Sequence, residues 1–153
     1  MGRFSSGIVA IVASVMAVGA CTSSAVDPNA GDVLQSGGTV ITARVGEVFQ
    51  LRVGESAQVR LSQGSDIRIT LSSVAEDSRC PTGVQCVWAG NARLALLLSQ
   101  GGAGTSAALN TTVEPRTASF AGHTISLVEL RPQPRVGEPI SQSEYVASVR
   151  LTT

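Results

Sequence analysis

The chain is poor in aromatic residues and in the side chains that usually carry out chemistry. Aromatic residues make up 3% of its 153 positions, and it holds three cysteines and a single histidine, His123. Platforms that stack bases or sugars need aromatic rings, so this composition argues against surfaces of that kind. A structural zinc site takes about four ligands, and one histidine with two neighbouring cysteines falls short of that set.

The chain also lacks lysine and carries no excess charge. Its 11 basic residues, all arginine, balance 11 acidic ones. Without a basic patch or an acidic tail, nucleic acid is not an expected partner. The acidic residues form no cluster of the kind that binds calcium, and the stretch GGAGT at 101–105 lacks the Lys-Ser/Thr pair and the helix of a phosphate-binding loop. The sequence therefore predicts no metal and no cofactor.

The apolar run near the N-terminus is too short to span a membrane. Residues 8–18 read IVAIVASVMAV, after one positive charge at Arg3 and before the small residues Gly19 and Ala20. A membrane-spanning helix needs about 20 apolar residues, whereas a secretory signal has a shorter apolar core with these flanks. We predict that residues 1–20 are a signal peptide.

The stretch VGAC at 18–21 resembles the lipobox of bacterial lipoproteins, in which an aliphatic residue and two small residues precede a cysteine. The resemblance implies that Cys21 is lipidated and becomes the first residue of the mature chain. Two or more acyl chains anchor a protein stably, so the expected address is the bacterial cell envelope. Thr22 stands where Asp would resemble an inner-membrane retention signal, which favours the outer membrane if the cell is Gram-negative. The alternative is a soluble secreted protein cut nearby.

After the signal, the chain divides into a tether and one domain. Residues 21–38 comprise Cys21 and a small, polar, aperiodic segment, which is typical of a flexible tether. Residues 39–153 are long enough for a single domain with its own core.

Apolar and polar residues alternate through most of this domain. Alternation bounded by Gly and Ser clusters indicates strands. Strands are predicted at 40–45, 48–53, 58–61, 66–74, 92–99, 107–112, 117–120, 123–130 and 145–152. Residues 92–99 are apolar on both faces near their end, which is typical of a central strand or of one covered on both sides. Residues 101–105 are predicted to form a loop, and the three prolines of 131–140 predict a loop or a sheet edge there. The fold class is therefore all-β, an antiparallel β-sandwich or open barrel of about eight or nine strands.

Two cysteines and the only tryptophan fall within residues 78–90, SRCPTGVQCVWAG. With Cys21 taken by lipid, Cys80 and Cys86 are left as a pair in an oxidising compartment, and we predict a disulfide between them. A thioredoxin-like redox pair would need C-x-x-C at a helix start. Closing this short ring stabilises the fold by about 2 kcal/mol in the chain-entropy model. Trp88 lies two residues past Cys86, so we expect it to share a strand face with that cysteine, pack over the disulfide and close one end of the core.

The segment EDSRCPTGVQCVWAG at 76–90 resembles a segment of small, mostly uncharacterised bacterial secreted proteins and lipoproteins. Their shared pattern is DSRCP, then CVWAG leading into an alternating strand. The later HTISLVELRPQP at 123–134 also suits the layout of that family. The resemblance implies an envelope β-domain and brings no activity with it.

The loop closed by the two cysteines is either a structural staple alone or also a recognition element. A disulfide-held tip that exposes Thr82, Val84 and Gln85 is preorganised, which lowers the cost of binding. Its flanks, Asp77 and Arg79, either contact a partner or instead cap the turn or pair with each other. The candidate binding loop comprises Asp77, Arg79, Thr82, Val84, Gln85 and Trp88.

Enzymatic sites find little support in the sequence. A hydrolase would need His123 as base, Ser78 or Ser126 as nucleophile and Asp77 to orient the histidine, yet no nucleophile-elbow pattern is present. A glycosidase would need Glu76 or Asp77 to meet a second carboxylate, such as Glu114 or Glu129, and no pattern indicates one. We therefore assign no catalytic residue.

The sequence predicts a lipid-anchored envelope protein with a non-enzymatic β-domain that is structural or protein-binding. Its partners would be the membrane, through Cys21, and an envelope protein. One alternative is an inhibitor-like binder that inserts the loop at 80–86 into a partner's cleft, for example that of a protease. The other is an unrecognised hydrolase.

Overall fold

The computed structural model describes residues 39–153; the predicted signal peptide, Cys21 and the tether lie outside the described residues. The described part consists of nine strands and one short 3₁₀ helix. The strands are β1 Val40–Arg44, β2 Val48–Arg52, β3 Ser56–Arg60, β4 Ile67–Asp77, β5 Ala92–Gln100, β6 Ala103–Asn110, β7 Thr117–Phe120, β8 His123–Arg131 and β9 Val146–Thr152, and the helix is Gln142–Glu144. Among these elements no helix has the length and apolar character needed to span a bilayer.

The strands form a β-sandwich, which confirms the predicted fold class. A five-stranded sheet has the order β1-β3-β4-β5-β6, and a four-stranded sheet has the order β2-β9-β8-β7. Every pair is antiparallel except β1 with β3. This parallel pair arises because β2 crosses to the other sheet, so that the chain has reversed direction twice when it returns as β3.

The predicted alternation accounts for the core between the two sheets. Strand β4 directs Ile67, Ile69 and Leu71 inward with no solvent exposure, and β9 does the same with Ala147 and Val149. Full burial of an aliphatic side chain of this size contributes about 1.5–3 kcal/mol relative to an exposed one. Period-two sequences therefore form these strands because each strand has one apolar face to bury.

Strand β4 is longer and less regular than predicted. It continues to Asp77, and its register with β5 shifts between Leu71 and Ser73 and again between Val74 and Glu76. Such bulges change which face a residue occupies, so that Leu71 and Val74 both reach the core despite their odd spacing. The side chain of Gln142 pairs with the backbone of Val74, accepting from its N–H at 3.0 Å and donating to its carbonyl at 2.8 Å.

The hairpin between β5 and β6 is tighter than the predicted loop at 101–105, whose position is confirmed but whose extent over 103–105 was wrong. Only Gly101 and Gly102 form the turn, with φ of +55° and +88°, and β6 begins at Ala103. A two-residue hairpin turn of type I′ needs positive φ at both central positions, which two glycines supply. Strand β5 is central in its sheet, as predicted, but Leu97 is half exposed, so its outer face is not covered.

Candidate functional site

The cysteine segment extends the hairpin of β4 and β5 beyond the last strand pair, Asp77 with Ala92. The Ser78 N–H donates to the Asn91 carbonyl at 2.7 Å, and the Cys80 N–H donates to the Ala89 carbonyl at 3.0 Å. The Cys80–Cys86 disulfide then closes the tip, with the two Cα atoms 6.0 Å apart. The predicted disulfide is confirmed, and it lies at the end of a hydrogen-bonded ladder.

The tip beyond this ladder is open to solvent. Thr82, Val84 and Gln85 are exposed, as the recognition hypothesis requires. Among the large apolar side chains of residues 39–153, Val87 and Trp88 are the most exposed, at 89% and 81%. We call residues 82–89 the binding tip, the segment proposed below to bind a partner; the disulfide constrains its first part, and the exposed Val87 and Trp88 follow directly after Cys86.

The predicted packing of Trp88 over the core was wrong. Residues 86–89 belong to no strand, and Val87 and Trp88 form a bend, so Trp88 does not share a strand face with Cys86. The end of the core next to the loop is instead occupied by Arg79 and Tyr145, whose exposed fractions are 9% and 5%. A buried arginine, and not the tryptophan, therefore closes this end of the sandwich.

Arg79 and Asp77 pair with each other, which is the second of the two roles considered for them. The Arg79 guanidinium donates from Nε to Asp77 Oδ1 at 2.9 Å and from Nη2 to Oδ2 at 2.6 Å. The Tyr145 hydroxyl donates to Asp77 Oδ2 at 3.0 Å. Both charged side chains are less than a tenth exposed, so neither presents a free charge to a partner.

The remaining donors of Arg79 connect the two sheets. Nη1 donates to the Leu130 carbonyl at 2.7 Å, and Nη2 donates to the Pro132 carbonyl at 2.8 Å. Leu130 belongs to β8 of the four-stranded sheet, whereas Asp77 ends β4 of the five-stranded sheet. A planar guanidinium with donors in a fixed fork is suited to such a junction. Arg79 therefore holds the base of the loop against the end of β8.

A second contact ties the tip itself to the proline-rich loop at 131–140. The Thr82 N–H donates to the Pro134 carbonyl at 2.8 Å, and the Thr82 hydroxyl donates to the same oxygen at 3.3 Å. Thr82 and Arg135 also form a short parallel bridge. The proline-rich segment is a loop, as predicted, and it acts as a support for the tip.

Asp77, Arg79 and Tyr145, with the carbonyls of Leu130 and Pro132, form what we call the junction. Burial and hydrogen bonds in this junction shift the pKa values of Asp77 and Tyr145. Burial by itself favours the neutral form of Asp77, but hydrogen bonds from the Arg79 side chain and backbone and from Tyr145 outweigh it and lower the pKa of Asp77 below 3.8. For Tyr145, burial and then the hydrogen bond to the Asp77 carboxylate raise the pKa to about 12. The Asp77 carboxyl is therefore ionised, and the Tyr145 hydroxyl neutral, throughout the physiological range.

The alkaline titration of Tyr145 tests this junction directly, because it is the only tyrosine in the chain. We expect phenolate absorbance in the native protein to rise with a midpoint near pH 12, against about 10 in the unfolded chain. Because the pKa of Tyr145 is higher in the folded than in the unfolded chain, its contribution to the free energy of unfolding is complete below pH 10. It is lost as the pH rises from 10 to 12. Asp77→Asn is expected to lower the native midpoint partway. A native midpoint near 10 would contradict the buried junction.

His123 lies far from these residues. His123 is the first residue of β8, whereas Arg79 contacts the carbonyl of Leu130, which is seven residues further along the same strand. Seven residues of an extended strand span about 23 Å. The His123 Nδ1 lies 2.9 Å from the Ala121 carbonyl. It lines an open groove with Arg44, Arg60 and Ser62, among others. The structure does not bring together the triad that was considered from His123, Ser78 and Asp77.

The other candidate groups serve local structure. Ser78 donates from its hydroxyl to the Asn91 carbonyl at 3.0 Å, and Ser126 donates to the Arg150 carbonyl at 3.5 Å. Among the carboxylates, Glu76 faces Arg93 at 3.8 Å. Glu129 faces Arg131 at 2.8 Å, and Glu114 accepts from the Arg116 N–H at 2.9 Å. Within residues 39–153, no three His, Cys, Asp or Glu side chains gather in a way that would hold a metal ion.

Sequence reasoning missed three participants of the junction: the Tyr145 hydroxyl and the carbonyls of Leu130 and Pro132. The Asp-x-Arg spacing and the lone tyrosine before the last strand were the available signals. No protein-family model, curated protein or solved structure matches this chain. The geometry of the loop and its base therefore carries the functional interpretation.

Proposed function

We propose that the protein is a lipid-anchored component of the bacterial cell envelope whose β-sandwich binds another protein through the binding tip. The observation that supports this is the placement of Trp88, the only tryptophan, at 81% exposure two residues past the disulfide-bonded Cys86. In this proposal the domain performs no catalysis of its own.

The exposure of the tip is unfavourable for an isolated domain and is offset by its use in binding. Val84, Val87 and Trp88 expose apolar surface to water. The free protein therefore does not gain the hydrophobic free energy that burial of these side chains would contribute. Tryptophan is enriched among the few residues that dominate binding energy in interfaces. An exposed indole beside two valines is therefore the expected centre of an interface.

The base of the loop lowers the entropic cost of using it. The disulfide joins Cys80 to Cys86, and Arg79 binds the Leu130 carbonyl at the base of the loop. Thr82, the first residue of the tip, donates its N–H to the Pro134 carbonyl. A loop held in one conformation loses less freedom on association. The staple and the recognition element are thus the same structure, and the buried pair of Asp77 and Arg79 contributes by supporting the tip.

The charge of this region favours a protein partner over a lipid surface. Residues 80–90 contain no charged side chain. On the supporting loop, Arg135 lies 3.8 Å from Glu138, and Arg131 at its start lies 2.8 Å from Glu129, so the region offers no net positive charge to anionic headgroups. The complementary partner has a neutral, apolar pocket deep enough for an indole.

The inhibitor-like mode is the second candidate, and one observation favours it. Next to Thr82 the structure has an open groove of about 350 Å³, whose lining residues include Pro132, Pro139 and Ile140. A partner that receives the exposed tip in its cleft would have this groove beside it as a second contact surface. The identity of the partner distinguishes this mode from structural docking.

Site-specific crosslinking in the producing bacterium tests the proposal. A photoreactive phenylalanine analogue at Val87 is expected to give one discrete adduct with an envelope protein, because Val87 is 89% exposed at the tip. The same analogue at Val128, half exposed on β8, is the matched control and is expected to give none. Trp88→Ser is expected to weaken the adduct about tenfold or more, since a hot-spot residue contributes at least about 2 kcal/mol.

Two further readouts separate the parts of the proposal. Mass analysis of the mature N-terminus is expected to show a lipidated Cys21, and an unmodified thiol there would remove the anchor. The emission of Trp88 is expected to stay unchanged when lipid vesicles alone are added. Equal adducts at positions 87 and 128, or a blue shift of Trp88 emission on bare vesicles, would contradict protein binding by the tip.

A further inference from the structure

Strand β6, Ala103–Asn110, forms one outer edge of the five-stranded sheet. It pairs with β5 along its whole length without a register shift. In the part of the chain that the structure describes, no strand lies on its other side. We call this open side of residues 103–110 the β6 edge.

The hydrogen bonds at the end of β6 establish which backbone groups face the β6 edge. The Asn110 N–H donates to the Pro115 carbonyl at 2.9 Å, away from β5, and the Thr111 N–H donates to the Ala92 carbonyl of β5 at 3.0 Å. Backbone groups of successive residues in a strand point in opposite directions. Because no bulge interrupts the strand, Gly104, Ser106 and Ala108 direct their N–H and C=O groups outward.

The β6 edge lacks the devices by which proteins usually protect an open strand. Such strands are typically short, charged, bulged or interrupted by proline. Strand β6 is eight residues long, AGTSAALN, with no charge, no proline and no bulge. The other outer strands differ: β7 has four residues, and β1 and β2 have five each and end in Arg44 and Arg52.

We infer that the β6 edge binds the β6 edge of a second copy of this chain, joining the two five-stranded sheets across a two-fold axis. Centred on Ser106, an antiparallel pair places Gly104 opposite Ala108 of the second copy, and each outward residue exchanges both of its hydrogen bonds. The interface is isologous, since the same surface serves both partners.

The sequence of β6 favours this occupant. Like charges opposite each other destabilise a strand pair, and a strand without charges meets its own copy without that penalty. The outward residues are small, so two backbones approach without steric hindrance. The outward carbonyl of Ser106 receives only a 3.4 Å contact from the Thr105 hydroxyl of the same strand, which a ladder bond replaces.

Cysteine crosslinking of the full chain, extracted in detergent, tests the pairing and its register. Ser106→Cys is expected to form a disulfide-linked dimer, because residues on the two-fold axis face each other at disulfide distance. Thr105→Cys and Ala107→Cys are expected to crosslink poorly alone and well when mixed, since each lies opposite the other in the partner. The wild-type chain measures the background crosslinking.

Ser106→Pro tests the hydrogen bonds themselves. The Ser106 N–H faces away from β5, so proline removes no bond within the protein and is tolerated on such an edge. We expect an unchanged far-ultraviolet spectrum and a dissociation constant, from sedimentation, at least about tenfold higher. Sedimentation as a monomer at all concentrations, or crosslinking of Ser106→Cys no better than that of Thr105→Cys, would overturn the inference. Residues 21–38 or another protein would then be the occupant of the edge.

Discussion

Replacing Arg79 with alanine lowers the free energy of unfolding by about 3–5 kcal/mol, the usual cost of breaking a buried ion pair from one side. The carboxylate of Asp77 loses a bidentate partner within an environment less than a tenth exposed. The carbonyls of Leu130 and Pro132 lose their donor at the same time. Denaturant titration followed by circular dichroism measures the loss, because Trp88 already lies in water and reports little of the unfolding.

The matched control is Arg93→Ala. Arg93 faces Glu76 at 3.8 Å, but their side chains are 53% and 72% exposed, and an exposed pair of this kind contributes at most about 1 kcal/mol. Arg79→Lys keeps the charge without the fork of donors, so we expect it to recover only part of the loss. Equal costs for Arg79→Ala and Arg93→Ala would show that the junction does not hold the fold.

The pH dependence of the free energy of unfolding is a second test of the pair of Asp77 and Arg79. The pKa of Asp77 is lowered in the folded protein, so its contribution to stability is present above pH 3.8 and is lost as the pH falls through the folded pKa. We expect this part of the acid destabilisation to be absent in Arg79→Ala, where the carboxylate has lost the partner that lowers its pKa.

Replacing Gly90 with alanine has an effect of similar or larger size, above about 4 kcal/mol. A Cβ at this position would stand 1.8 Å from the Ser78 carbonyl oxygen and 2.9 Å from the Arg79 Cα. Both neighbours are backbone, so no side-chain rotation relieves the clash. The return strand would have to move away from residues 78 and 79, which breaks the ladder beneath the disulfide and displaces Arg79. Thermal and denaturant unfolding of the oxidised protein measure the cost.

Gly83→Ala is the control for the backbone conformation. Gly83 has a φ of +86° in the same loop, against +68° for Gly90, and a Cβ there meets nothing within 4 Å. It is expected to cost only the left-handed penalty of about 1–2 kcal/mol. If Gly90→Ala fails to yield folded protein while Gly83→Ala folds, the clash is supported. If the two variants unfold at the same denaturant concentration, the close approach of the two chain segments is refuted.

The periodicity of the sequence was sufficient to predict most strands, since alternation reports directly which face is buried. It was sufficient to place Ile67, Ile69 and Leu71 in the core. It failed at the bulges of β4, because a bulge depends on the partner strand and leaves little mark on the pattern of one strand. It failed at Trp88 because the chain between Cys86 and Ala92 is not a strand, so alternation does not report which side chains are buried there.

The sequence by itself determined that the domain is all-β and that Cys80 and Cys86 bond to each other, because strand alternation and a close cysteine pair are local properties. Only the tertiary structure decided the role of Arg79, whose acceptor Leu130 lies 51 residues away on the other sheet. It also decided that β6 lies at an edge. Both depend on which strands become neighbours, and that is settled by the packing of the whole chain and not by any one segment.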